Sequence, residues 1–298
     1  MSPRLLLVAL VSSCGVGTIG NPAPEFNIQL HLEHGLSESQ SSAFANAAAR
    51  WGEVIIGLSN VGTGSVRIPD ECRGSSLPKE VVIDDLLIDV VVEPIDGVGG
   101  ALALAGPCAV RADDGSPVVG KVSIDQDDVE VLEARGQLQL VALHEIGHVL
   151  GIGTLWPDQD LLQEPSLPDQ PGADTHFIGQ NALAAFDSVG GGPFLGGKVP
   201  VENNAVEGSA DSHWREAIFG TELMSTALAD DDTQIPLSSV TIGSLQDLGF
   251  WHVDPSAADN YRLPAAVTRS ENTTPAEANA RGFCILLTPH VVVPSESE

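Results

Sequence analysis

Two histidines four residues apart stand in an otherwise apolar run: residues 138–150 read Leu-Gln-Leu-Val-Ala-Leu-His144-Glu145-Ile-Gly-His148-Val-Leu. So apolar a segment needs a core to cover it. Leu138, Val141, Leu143, Ile146 and Val149 supply the buried surface of a helix from Gln137 to Leu150, and Gly151 suits the left-handed residue that stops it. On a helix, positions four apart lie about 40° apart around the axis and about 6 Å along it, so both imidazoles reach one ion. Two neutral imidazoles suit Zn²⁺. Glu145, one residue on from the first His, can meet a water beside such an ion rather than the ion itself. The bland alternative for the five residues alone is a solvated polar stripe on a core helix.

The chain has 298 residues, and its 41 Asp and Glu against 13 Lys and Arg give a formal net charge of -28. So acidic a surface repels phosphate backbones and excludes nucleic acid as a partner. With 43% hydrophobic residues the chain is not a disordered one. Only Lys79, Lys121 and Lys198 are lysines, a balance that suits a hydrated acidic surface in salty surroundings. Arg4, the apolar run Leu5 to Val11 and the small residues after it have the layout of an export signal, too short to span a bilayer. Val11-Ser12-Ser13-Cys14 is similar to the lipobox of bacterial lipoproteins, with Cys14 as the lipidated residue; the alternative is a plain cleaved leader with an incidental cysteine. Both readings place the protein outside the cytoplasm, secreted or lipid-anchored at the cell envelope, with a membrane met only through that anchor. In that compartment Cys72–Cys108 is the expected disulfide, leaving Cys284 over or bonded elsewhere. No two of these cysteines have a zinc-ligand spacing.

The organisation follows from periodicity. Residues 1–13 are the leader and 14–25 a linker. Phe26 to Glu33 alternates as a half-buried strand, and Ser37-Glu38-Ser39-Gln40 is a capping box opening a helix to about Ile56, with Phe44, Ala47, Ala48, Trp51, Val54 and Ile55 on its inner face. Leu86–Val92 and Val118–Ile124 read as buried strands. Thr154 to about Asn204 is Gly/Pro-rich and irregular apart from a short helix over Phe177–Phe186, and Val240–Leu248 is a helix ending at Gly249. Residues 264–298 form a tail with a strand near Phe283–Leu287. One main folded domain is therefore expected over 26–263.

In metzincins, the zinc helix stops at a glycine three residues past the second His, where Gly151 stands. The usual third His would fall at 154, but this chain has Thr154, so a displaced ligand must come from His176, His213, His252 or His290. His213 stands in Ser212-His213-Trp214-Arg215-Glu216, shortly before Glu222-Leu223-Met224-Ser225, and Met224 is the one methionine besides the initiator. Here the chain resembles the leishmanolysin family, in which an insertion separates the zinc helix from a His-Trp pair followed by a Glu-Leu-Met turn. The resemblance continues through residues 147–156 and 245–250, the strand at Phe26 and the Ala-Ala-Arg-Trp run ending at Trp51, covering about 25–263. It implies an α+β, metzincin-like fold of two lobes: an N-terminal mixed sheet with helices, including the active-site helix, to about 153, then an irregular C-terminal lobe. It also implies a zinc metalloendopeptidase in which His144, His148 and His213 hold one Zn²⁺, Glu145 is the general base toward a metal-activated water, and Met224 is the Met-turn. The leader leaves no room for an inhibitory prodomain, and three mature cysteines cannot build the disulfide framework of eukaryotic members, so a compact bacterial type is expected.

The expected partners are protein or peptide substrates, and the expected state is a monomer. The other functional reading is a surface adhesin or binding lipoprotein on the same fold, with weak or no catalysis. His176 reads as a capping or surface His, and His31 as a solvated one on a strand's polar side. His34 and His252 have no spacing signal. Asp125, Asp127 and Asp128 have the acids for Ca²⁺ but lack an EF-hand-like loop, and read as a solvated strand end. No Gly-x-Ser-x-Gly nucleophile pattern occurs.

Overall fold

The structure, a computed structural model, describes residues 26–33, 35–59, 64–167, 170, 172, 174–192, 196–203, 208–226, 234–264, 283–286 and 291–293, the last two stretches by backbone alone. The leader with Cys14, the linker, His34, Asp230–Asp232, His290 and most of the tail lie outside those residues. Among the described residues no helix is long and apolar enough to cross a membrane.

Strand β1 (Ile28–Leu32) leads into helix α1 (Glu38–Val54), and the capping box forms as its spacing predicts: Ser37 Oγ accepts from the Gln40 amide while the Gln40 side chain accepts from the Ser37 amide at 2.9 Å. Phe44, Ala47, Ala48, Trp51 and Val54 are its buried face. The helix stops earlier than Ile56, because Ile55–Leu58 peels off as β2. A hairpin of β3 (Gly64–Arg67) and β4 (Glu80–Ile83) precedes β5 (Leu86–Glu93), β6 (Ala101–Arg111) and β7 (Pro117–Asp125), then come the short helix α2 (Val129–Ala134) and α3 (Leu138–Val149). The later elements are β8 (Leu162–Gln163), β9 (His176–Phe177), α4 (Gln180–Phe186), β10 (Val199–Pro200), α5 (Glu216–Phe219), α6 (Ser239–Asp247), β11 (Trp251–Val253), β12 (Phe283–Leu286) and β13 (Val291–Val293).

The main sheet has the order β1-β5-β7-β6-β12, with β13 also on β6; β6 runs antiparallel to β7, and all other pairings are parallel. Helices α1 and α3 pack together on one face. Their Phe44, Trp51, Val141, Ala142 and Val149 join Ile88, Val90, Ala103, Ala105, Val122 and Ile124 of the strands in the larger core. The opposite face carries a smaller core of Ile68, Leu77, Leu87 and Val119 around the disulfide Cys72–Cys108, the pairing expected from the sequence. β11 pairs antiparallel with β2, and β8, β9 and β10 form a small antiparallel sheet beyond α3.

Strand β6 was not legible. It carries Pro107, which sits where the pairing with β7 is bulged and between the stretches of β6 that meet β12 and β13. There a missing amide breaks no ladder bond. The acids after β7 hold a loop: Asp125 accepts from the amides of Ile95, Asp96, Gly97 and Asp127, and Asp128 from that of Gly99. Asp125 and Asp128 are therefore buried at a strand end expected to be solvated, their oxygens serving backbone N–H groups, while Asp127 is exposed as expected.

Candidate metal centre

Helix α3 ends in a Schellman motif. Gly151, at φ +107°, donates its amide to the carbonyl of His148 (3.1 Å), and the Ile152 amide donates to that of Gly147 (3.1 Å). The motif does more than stop the helix, because the next carbonyl, that of Ile152, accepts the Nδ1–H of His148 at 2.8 Å. Thr154 occupies the place of the expected third His and is a cap: its Oγ1–H donates to the His148 carbonyl at 2.7 Å.

The third imidazole comes from His213, 69 residues after His144. It is held by the aromatic core under the later part of the chain. Neighbouring Trp214 is fully buried against Trp156 (ring centroids 4.7 Å), Phe177 (5.7 Å) and Phe219 (5.4 Å), and its indole N–H donates to Thr241 Oγ1 at 2.8 Å. His213 Nδ1 faces the Ser209 carbonyl (3.1 Å) and Ser212 Oγ (2.8 Å). His144 Nδ1 faces the Leu223 carbonyl at 2.7 Å.

Each of the three rings thus has a backbone carbonyl at Nδ1, which assigns the ring proton to that nitrogen and leaves Nε2 with its lone pair. The Nε2 atoms converge: His144 to His148 is 3.0 Å, and each of these lies 3.1 Å from His213. With the protons at Nδ1, nothing bridges these lone pairs, and they repel one another unless a cation lies between them. Nitrogens so spaced can all stand about 2.0–2.1 Å from one Zn²⁺. Burial keeps the rings neutral, lowering His144 to about 4 and His213 to about 3, the latter helped by the neighbouring His144; His148 falls well below the ordinary range for the same reason, reinforced by both neighbours. His148 and His213 are buried, and His144 is the most open of the three. Three neutral imidazole nitrogens so placed are a donor set that suits zinc.

Glu145 is buried on the same helical turn, 3% exposed. Met224 is fully buried, and its thioether lies against Gly147, between His144 and His148 in the chain: a Cβ on Gly147 would stand 2.9 Å from its Sδ. The Trp214 amide donates to the Met224 carbonyl at 2.9 Å, so the turn at Met224 touches both α3 and the His213 segment.

The other histidines stand elsewhere. His176 pairs in β9 and places Nδ1 2.5 Å from the Asp174 carbonyl, outside the cluster. His252 is exposed on β11. His31 is not simply solvated: its Nδ1 meets buried Asp89 at 2.7 Å and, with Glu33, forms a second group of metal-binding residue types. There the oxygens are spent on the 74–76 loop, Asp89 accepting from the Gly74 amide at 2.6 Å and Glu33 from the Ser76 amide at 2.8 Å. Sequence reading missed the carbonyls of Ile152, Ser209 and Leu223, which every residue type offers equally. It also missed the bonding of Glu222; an acid set directly before Leu223-Met224 was its only signal.

The family model described as leishmanolysin matches residues 55–268, a span containing all three histidines, Glu145 and Met224. No curated protein matches the chain.

Proposed function

The chain belongs to the leishmanolysin family of zinc-dependent metallopeptidases, and from that premise we propose that it is an exported endopeptidase, secreted or lipid-anchored through Cys14, that cleaves peptide bonds at the His144–His148–His213 centre. The convergence of three Nε2 lone pairs within 3.1 Å carries this reading. These residues would hold one zinc ion, which supplies Lewis acidity toward the scissile carbonyl and the attacking water. Glu145, next to His144 on α3, takes the proton of that water and passes it to the leaving amine. The carbonyls of Leu223, Ile152 and Ser209 fix the imidazole tautomers, and Met224 shapes the floor without acting as a ligand. The substrate lies in a cleft between an N-terminal lobe built on the main sheet and a C-terminal lobe built on α4, α5 and α6.

The test is digestion of a fluorogenic peptide library by the wild-type protein, by the protein treated with a zinc chelator, and by Glu145→Gln. Chelation should abolish cleavage. Glu145→Gln should lower kcat by about 10²- to 10⁴-fold while retaining one zinc per chain. Cleavage by Glu145→Gln at the wild-type rate would overturn the assignment of the base, and an unchanged zinc content in His213→Ala would overturn that of the third ligand.

A further inference from the structure

Glu222 is 1% exposed and has no part in the chemistry above. One carboxylate oxygen accepts the Met224 amide at 2.6 Å; the other accepts the Ser238 amide at 3.1 Å, the Ser238 hydroxyl at 2.7 Å and the Thr241 hydroxyl at 2.5 Å. No cation is among these four donors. Burial pushes its pKa up, and the bonds from Thr241, Ser238 and Met224 oppose that push. A buried carboxylate held only by neutral donors is an expensive way to tie a loop, so what the loop positions matters.

Two short paths lead from it to the metal ligands. The first is the turn itself: Glu222 fixes the Met224 amide, and between them the Leu223 carbonyl accepts the Nδ1–H of His144 at 2.7 Å. The second runs through Thr241, whose hydroxyl donates to Glu222 and accepts the indole N–H of Trp214, the residue after His213. The Trp214 amide closes the ring on the Met224 carbonyl at 2.9 Å. His144 and His213 come from distant parts of the chain, and the segment 222–225 with α6 is what they share.

We propose that Glu222 is a positioning residue for the metal centre, its acceptor-only carboxylate locking the methionine turn and Trp214 so that His144 and His213 are presented at ligand spacing. The proposal rests on the zinc reading of the three histidines. Four donors converge on the carboxylate, so only a group that accepts at both oxygens satisfies them. Glutamine places an NH₂ against either the Met224 amide or the Ser238–Thr241 donors, and one path slackens whichever way it turns. A role limited to holding the start of α6, where Ser238 is the cap, would affect folding alone.

The experiment measures zinc affinity of the folded full chain by competition with a chromophoric chelator, the visible spectrum of the cobalt-substituted protein, and the melting temperature without metal. The variants are Glu222→Gln and Thr241→Val, the latter keeping shape and removing the hydroxyl that donates to Glu222 and accepts from Trp214. Zinc affinity should fall about 10- to 100-fold in Glu222→Gln, the range expected on losing a group that orients ligands, and less in Thr241→Val, with altered cobalt bands in both. A lower melting temperature with affinity within twofold of wild type and an unchanged cobalt spectrum would overturn the proposal. If Glu222→Gln does not fold, Thr241→Val decides by the same two readouts. A wild-type chain that takes up no zinc, or a His213→Ala chain that binds it as tightly, refutes the zinc site itself, a different result from equal affinity in wild type and Glu222→Gln.

Discussion

Gly153→Ala should disable the metal centre without touching a ligand. Gly153 has φ +76°, and a Cβ built on it would lie 2.1 Å from the Ser212 carbonyl oxygen and 2.8 Å from Ser212 Cα. The obstacle is backbone, so no rotamer change relieves it. To reach the 3.4 Å of ordinary contact the two segments must part by about 1.3 Å. Ser212 immediately precedes His213, while Gly153 follows Ile152, whose carbonyl orients His148. The separation therefore opens the triangle of Nε2 atoms, where distances within about 0.2 Å of ideal are needed for a working site. The left-handed backbone costs about 1–2 kcal/mol for alanine and the overpacking about 1–3 kcal/mol, together about 2–5 kcal/mol of stability. Zinc affinity from chelator competition and urea unfolding of the metal-free protein are the paired assays. Affinity should fall at least about tenfold beyond any loss of folded protein. A variant that binds zinc within twofold of wild type would show that the contact between Gly153 and Ser212 does not set the position of His213.

Three other outcomes follow from the same geometry. Metal-free protein should lose stability as pH falls from about 6.5 to 5: His144 and His213, lowered to about 4 and about 3, stay neutral in the folded state while the unfolded chain takes up protons below its ordinary histidine range. The stability is complete above about pH 6.5 and declines by up to about 1.4 kcal/mol per unit for each ring, so urea midpoints should slope across that window and slope less in His213→Gln; a flat profile would contradict the buried neutral imidazoles. Replacing Cys72 and Cys108 by serine opens a loop with a sequence separation of 36 and should cost about 3–4 kcal/mol, yet zinc content should not change, because the disulfide sits on the face of the sheet away from α3. Gly147→Ala should push against Met224 and Trp51, whose nearest atoms stand 2.9 and 3.2 Å from the added carbon, and lower stability by about 1–3 kcal/mol, read as a fall in the melting temperature.

The parts of the fold that were legible are those whose local signal and tertiary environment agree. The box at Ser37 and the apolar spacing from Phe44 to Val54 describe α1 because its inner face is a single stripe. Val118–Ile124 and Leu86–Val92 announce themselves as strands covered on both faces, which β7 and β5 are. β6 fails that test. Its small residues alternate with little hydrophobic contrast and it carries a proline, so only its pairing partners make it a strand. The short strands β8, β9 and β10 have two residues each and are defined by the chain around them, not by their own composition.

The site divides along the same line, between side-chain identity and backbone position. Histidines 144 and 148 are visible because helical spacing alone brings them together, and His213 because Trp214 and the turn at Met224 accompany it. What makes these rings a coherent ligand set is the direction of each Nδ1–H, and that is set by carbonyls at 152, 209 and 223. A carbonyl has no sequence signature. Its position depends on the Schellman turn after α3, on the loop before His213, and on the turn that Glu222 fixes from beneath. Thr154 shows the consequence. Where metzincin spacing expects a histidine, a hydroxyl closes the end of the helix by donating to the carbonyl of His148. His213 and Thr154 thus both bear on His148, one at its Nε2 and the other at its backbone carbonyl.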